Sequence, residues 1–173
     1  NTIVQTTLVL LKPDAVRRGL VGEILARLEK TGLAIVGLKL HQADQELAGR
    51  HYTWEDIGAR HGESVRNNLI SFLTSGPVVA VAVAGDRAVD VVRKLCGPTE
   101  PLQAPPGTIR GDYCHHSFGL SAEAGQSIRN VIHASANLQD AERELALWFR
   151  QEELAVISRN DQEEHLFKKP GAW

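Results

Sequence analysis

The chain has 173 residues, 43% of them hydrophobic and 23% charged, with a formal net charge of −2, an ordinary composition for one globular domain with a core of its own. No long run of one sign occurs, so bulk charge implies neither a nucleic-acid groove nor a membrane-surface partner. No apolar stretch approaches the roughly 18 residues that span a bilayer. The opening Asn-Thr-Ile-Val-Gln is not read as a signal peptide, and because it does not begin with Met the natural start is expected to be missing or processed. Only Cys96 and Cys114 carry thiols, which points to a reduced, cytoplasmic protein rather than a disulfide scaffold.

Residues 6–11 (TTLVLL) read as a buried strand running into Lys12-Pro13-Asp14. In 21–30, Val21, Ile24, Leu25 and Leu28 recur at helical spacing, and Gly32 ends that helix. A second strand is expected over 33–40 (LAIVGLKL). Residues 45–74 read as mostly helical, with a polar interruption between Gly58 and Gly62. Gly76-Pro77 punctuates, and 78–84 (VVAVAVA) is the strongest strand signal. Asp86 reads as an N-cap for a helix over 87–95. Residues 97–111, rich in glycine and proline, are expected to form a structured loop, followed by a short strand near 112–119. An insertion-like stretch covers 120–128, a helix is expected over about 138–149, and 158–173 reads as a polar tail. This order favours a mixed sheet with helices on one side, with a doubly wound parallel sheet as the competing reading.

The chemistry begins at Arg129-Asn130-Val131-Ile132-His133-Ala134-Ser135, where one histidine sits between a β-branched pair and a helix start. Much of an unperturbed imidazole is neutral near neutral pH, so it serves as a nucleophile without a strong activating base. Neither a Walker loop nor a Gly-x-Gly-x-x-Gly run occurs, so any nucleotide phosphates must be held by side chains. Lys12 at the mouth of the first strand, Arg93 near a helix C-terminus and Arg110 in PPGTIRGD are the candidate cations, with Thr99 adding a hydroxyl. Phosphoryl transfer needs alignment and neutralisation of spread negative charge, which converging cations supply. Each residue also has a plain structural reading. Lys12 suits a solvated strand end, Arg93 a helix macrodipole, Arg110 the satisfaction of loop carbonyls, His133 a hydrogen-bonded structural role, and Glu144 a solvated helix face.

Taken in order, LLKPDAVRRGLVGEIL (10–25), VGLKL (36–40), HY (51–52), SGPVVA (75–80), GPTEP (97–101), PGTIRGDYC (106–114), RNVIHAS (129–135) and AERELALWF (141–149) resemble the nucleoside diphosphate kinase family across nearly the whole chain. The resemblance implies an α+β fold, a ferredoxin-like βαββαβ sandwich with a four-stranded antiparallel sheet. It places the kinase-like domain at 1–157, with insertions near 56–64 and 115–128. It implies transfer of the γ-phosphate of a nucleoside triphosphate, typically ATP, to nucleoside diphosphates of any base by a ping-pong route through phosphorylated His133. Lys12, Tyr52, Arg93, Thr99, Arg110 and Asn130 would bind phosphates and sugar, Ser135 and Glu144 would position and polarise the histidine, and Mg²⁺ would enter on the nucleotide phosphates. A homo-oligomer, a hexamer by family habit, is expected from GPTEPLQAPPG (97–107), where Pro101 matches a recurring proline. No membrane or nucleic-acid partner is required.

Three departures stand out. The family's His-Gly-Ser-Asp appears as His133-Ala134-Ser135-Ala136, adding a methyl beside the nucleophile and removing a supporting hydrogen bond. The base-clamping Phe of the family falls, by counting back from Ser75, on Val65. Either stacking is weakened there or another group such as Trp54 substitutes. The insertion after Cys114 makes a Cys114-His115-His116 cluster, for which an altered cleft rim is favoured over a metal site.

Overall fold

The computed structural model describes residues 4–156, so the expected tail at 158–173 lies outside the described residues. In chain order it comprises β1 (Val4–Leu11), α1 (Pro13–Arg17), α2 (Val21–Lys30), β2 (Ala34–His41), α3 (Gln45–His51), a π-helical turn (Trp54–Gly58), α4 (Ala59–His61), α5 (Glu63–Leu73), β3 (Val78–Asp86), α6 (Ala88–Cys96), a 3₁₀ turn (Pro101–Gln103), α7 (Ile109–Tyr113), α8 (Phe118–Glu123), β4 (Ile132–Ala134), α9 (Leu138–Trp148) and a last 3₁₀ turn (Gln151–Glu153). The strands form one four-stranded sheet in the order β2-β3-β1-β4. All three ladders are antiparallel, which removes both the mixed and the doubly wound parallel readings.

The sheet is buried on both faces. Opposite residues of an antiparallel pair share a face, so Leu8 and Leu10 of β1 lie with Ala82 and Ala80 of β3, while Val9 lies with Val81. The Val9 face packs on Ile24 and Leu28 of α2 and Val92 of α6. The Leu8 face packs on Ala48 of α3, Ile70 and Leu73 of α5, and Trp148 of α9. Helices therefore cover both sides, not the single side the element order suggested. The near-continuous apolar run VVAVAVA is the signature of such a doubly covered strand, and its alternation puts valines against one helical layer and alanines against the other. A bulge in β2 between Ile35 and Gly37 brings Gly37 under Leu154 and Phe149. A Cβ at Gly37 would stand 2.9 Å from Leu154 Cδ2 and 3.0 Å from Phe149 Cε1, so glycine lets that closing segment sit on the strand without a shift of those side chains.

Three local expectations change. Asp86 stays in β3 opposite Val4, and the residue that starts α6 is Arg87, with φ 47°, its guanidinium paired to Asp90. The loop 97–111 contains the 3₁₀ turn and the start of α7, whose N-cap Thr108 accepts from Gly111 N at 3.0 Å. No strand forms near 112–119. α7 and α8 occupy that region, and β4 lies further on, held by pairing with β1. Among the described residues, no helix is long and apolar enough to cross a membrane.

Candidate active site

β4 places the candidate nucleophile. His133 pairs with Leu10, and the preceding turn is tight, with Val131 at φ 61° and Ile132 N donating to Asn130 O at 2.7 Å. A γ-turn of positive φ on a β-branched residue is strained, at a cost of order 1–3 kcal/mol. Its surroundings enforce it. Val131 N donates to Asp14 Oδ2 (3.1 Å), Val131 O accepts from Lys12 N (2.9 Å), and the side chain is fully buried. The turn ties the end of β1 to the start of β4, which sets Lys12 and His133 side by side.

His133 Nε2 lies 2.6 Å from Oε1 and 3.2 Å from Oε2 of Glu144 on α9. Glu144 is 2% exposed, so its expected solvated face is instead the interior. An ionised carboxylate only accepts hydrogen bonds, and the pairing therefore assigns the proton to Nε2 and leaves the Nδ1 lone pair free. Ser135 is also buried, but its hydroxyl is directed at Leu8 O (3.5 Å) and its N–H bonds the same carbonyl. It anchors β4 to β1 and does not touch His133 or Glu144 by a hydrogen bond.

The cations gather around this ring. Lys12 is 5% exposed rather than solvated, and its Nζ donates to Asn130 Oδ1 at 2.8 Å. Burial, reinforced by the neighbouring Arg110, brings the Lys12 ammonium down to about 8. Asn130 in turn donates to Thr99 O at 2.8 Å. Arg110 donates to Gly97 O (2.8 Å) and Ile132 O (2.6 Å), while its buried Nε has no hydrogen-bond partner among the described residues. It satisfies loop carbonyls, as its plain reading held, and keeps a donor in reserve. Arg93, in the last turn of α6, is exposed, and its guanidinium forms no hydrogen bond or ion pair among the described residues. Tyr52 is nearly buried, and desolvation followed by the negative Glu144 holds its phenol above the usual range.

Lys12, Tyr52, Val65, Arg93, Thr99, Arg110, Asn130 and His133 all line one cleft of about 1040 Å³, the size of an ordinary small-molecule site. Glu144 and Ser135 lie behind it. Ala134 also lines the cleft, and its extra methyl leaves the His133–Glu144 bond in place. Trp54 is not among the lining residues. Its ring covers Gly58, where a Cβ would stand 2.1 Å from Cε3.

His51 is the site neighbour that sequence reasoning passed over. It is 4% exposed, its Nδ1 accepts from Trp148 Nε1 at 3.1 Å, and its ring meets His133 edge-on with centroids 4.5 Å apart. Desolvation, then the nearby His133, Arg143 and Lys12, hold it neutral by lowering its pKa well below 6.5. Its only sequence signal was adjacency to Tyr52. His51, His133 and Glu144 bring metal-ligand atoms within 4.8 Å of one another. Trp148 and Glu144 already engage a nitrogen of each imidazole there, so the group reads as a hydrogen-bonded cluster. Cys114 is a free thiol, and the His115 and His116 rings pack edge-on against each other with centroids 4.8 Å apart.

An accessible imidazole backed by a buried carboxylate and flanked by side-chain cations, in an α+β sandwich, is the layout of a phosphotransferase. A model of the nucleoside diphosphate kinase family matches residues 5–154. A nucleoside diphosphate kinase of Borreliella burgdorferi is 50% identical over 165 residues, covering 95% of this chain and 99% of that one. One from Thermus thermophilus is 52% identical over 151 residues, covering 87% of this chain and 98% of that one. A solved transition-state mimic of the nucleoside diphosphate kinase from Borrelia burgdorferi, with bound vanadate and ADP, superposes with a TM-score of 0.92 at 50% identity, covering 95% and 98% of the two chains. This chain belongs to the nucleoside diphosphate kinase family. It is an enzyme of nucleotide phosphate transfer.

Proposed function

We propose that the enzyme moves the γ-phosphate of a nucleoside triphosphate, typically ATP, to a nucleoside diphosphate of any base by a ping-pong cycle through a phosphohistidine at His133. The observation that carries this reading is the His133–Glu144 pairing, which commits Nε2 and leaves Nδ1 free in a cleft lined with Lys12, Arg93 and Arg110. The Nδ1 lone pair attacks the γ-phosphorus. The bond to the β–γ bridging oxygen breaks and the nucleoside diphosphate leaves with that electron pair. Glu144 stabilises the positive charge that the ring acquires while Nε2 keeps its proton. A second diphosphate then attacks the phosphorus through a terminal oxygen, and the P–N electron pair returns to Nδ1. Lys12, Arg93 and Arg110 meet the phosphates, while Thr99, Tyr52 and Asn130 serve phosphate and sugar. Ser135 acts on the nucleophile by holding β4 in register.

Among the described residues, those lining the cleft include no aspartate or glutamate. That donor set fits a Mg²⁺ carried in on the nucleotide's phosphates rather than one held by the protein, as Mg²⁺ commonly binds. Carried in this way, it would supply positive charge to the transferring phosphates beside Lys12, Arg93 and Arg110. The Borrelia burgdorferi relative, solved with ADP and vanadate as a transition-state mimic, supports the same assignment of substrate.

Incubation with γ-labelled ATP should give a base-stable, acid-labile label on the protein, discharged by any added nucleoside diphosphate and lost in His133→Ala. Nucleotide binding without label would overturn the reading. We also infer a homo-oligomer, a hexamer on the family pattern. The edge strand β2 exposes Leu38 (52%) and Leu40 (67%), and Leu102 beside Pro101 is 61% exposed. Light scattering that returns a monomer would refute it.

A further inference from the structure

Within the cleft, Lys12 follows β1, Arg93 lies on α6, Arg110 on α7 and His133 on β4. A second set of lining residues comes from elements on either side of those cations, where apolar side chains alternate with Ser64, Asn68, Ser121 and Gln126. Val65 and Leu69 of α5 and Ile57 of the π-helical turn supply one wall, and Phe118 of α8 supplies another. Phe118 is 51% exposed, although its segment is otherwise rich in serine, alanine and glycine. Apart from the nearly buried Tyr52, it is the aromatic carbocycle that lines the cleft among the described residues.

Its placement is built rather than incidental. Phe118 N donates to Glu100 Oε1 at 2.9 Å, and Leu102 N donates to His116 O at 3.1 Å, so the start of α8 is pinned to the loop that carries Thr99. Ser117 Oγ caps the helix by accepting from Leu120 N at 3.1 Å. At the far end Gln126 N donates to Ser121 O at 3.0 Å, and Ser127 and Ile128 are buried. A six-residue helix so tethered holds a half-exposed ring at a cleft that also carries Lys12, Arg93, Arg110 and His133. An aromatic side chain left partly wet beside a nucleotide site is matched by one part of the ligand, the flat face of the base.

We propose that Phe118, from the α8 segment, is the aromatic surface on which the nucleotide base stacks, with Val65 and Leu69 of α5 providing apolar cover. The inference rests on the nucleotide-transfer reading above and assigns its base subsite. Every base has a π-face, so stacking is tolerant of base identity, and this subsite accepts purines and pyrimidines alike. The Val65 position needs no aromatic ring, because α8 brings one from elsewhere in the chain.

Titration calorimetry on the full chain tests the proposal with ADP, CDP and, as a base-free probe, inorganic pyrophosphate. Loss of a stacked base corresponds to roughly a five- to 150-fold weaker Kd, and the half-exposed ring places Phe118→Ala toward the lower end. The expected result is that weakening for both nucleotides, unchanged pyrophosphate affinity, and recovery in Phe118→Trp but not in Phe118→Leu. The proposal is overturned if ADP affinity in Phe118→Ala stays within twofold of the wild type, if pyrophosphate weakens equally, or if Leu restores binding as well as Trp. A wild-type chain that binds no ADP sinks the proposed function and this subsite together. A wild type that exchanges phosphate normally beside an indifferent Phe118→Ala sinks the subsite alone.

Discussion

Glu144→Gln isolates what the buried carboxylate does for the imidazole. Its Oε1 lies 2.6 Å from His133 Nε2, with the two side chains 3% and 21% exposed, so water screens the pair weakly. The amide oxygen of Gln still accepts from Nε2, so the reactive tautomer survives while the charge is lost. A hydrogen bond to a charged group contributes about 1.5–3 kcal/mol net, against about 0.5–1.5 kcal/mol for a neutral pair. The difference, roughly 1–2 kcal/mol, falls on the state in which the ring gains a P–N bond and positive charge. It corresponds to phosphorylation about 5- to 30-fold slower. Glu144→Leu removes the acceptor as well, releases the ring, and should be slower again. Rapid-quench single turnover with saturating labelled ATP reads this step directly. Wild-type phosphorylation in Glu144→Gln, or a loss confined to ATP affinity, would refute the argument.

Three further outcomes follow from the same geometry. The Lys12 ammonium, brought down to about 8 by burial and Arg110, should lose its proton as pH rises through that value. kcat/KM should then fall on the alkaline side, and Lys12→Arg, which keeps its charge, should flatten that limb in a pH–rate profile at the cost of a lower plateau. His51 is held neutral in the fold with a pKa well below 6.5, so the unfolded chain binds more protons in that window and stability is lost as pH falls below about 6.5. Urea midpoints at acidic and neutral pH should differ less in His51→Gln than in the wild type; an equal difference would remove His51 from the account. A Cβ at Gly111 would stand 2.0 Å from Pro105 O, so Gly111→Ala should destabilise by about 1–3 kcal/mol through overpacking, and unchanged urea stability would contradict the contact.

β1, α2, β2, β3 and α9 were legible because each is long enough for its apolar character to show, and the run at 78–84 is the strongest strand signal of all. The layer order was not legible, since a strand covered on both faces carries no alternation to say how many helical layers it meets. α7 was missed because its five residues give no period; its signal was Thr108 three residues before Gly111, a cap without a following apolar stripe. β4 has three residues, and its conformation comes from pairing with Val9, Leu10 and Leu11 rather than from propensity. Lys12, Arg110, Asn130 and His133 were found as motif members, and their convergence required the strained turn at Val131, which sequence reasoning has no means to see. Val65 lines the cleft, whereas Trp54 does not reach it and Phe118, in the inserted segment, does.

The most direct test of the central claim is to locate the phosphoryl group. After brief exposure to ATP, the protein should be digested and analysed under alkaline conditions by mass spectrometry, with phosphorus NMR of the intact phosphoprotein. The account predicts one phosphohistidine, at His133, bonded through Nδ1 and gone once ADP is added. A phosphoryl group on Nε2, on another residue, or absent after triphosphate exposure would contradict it.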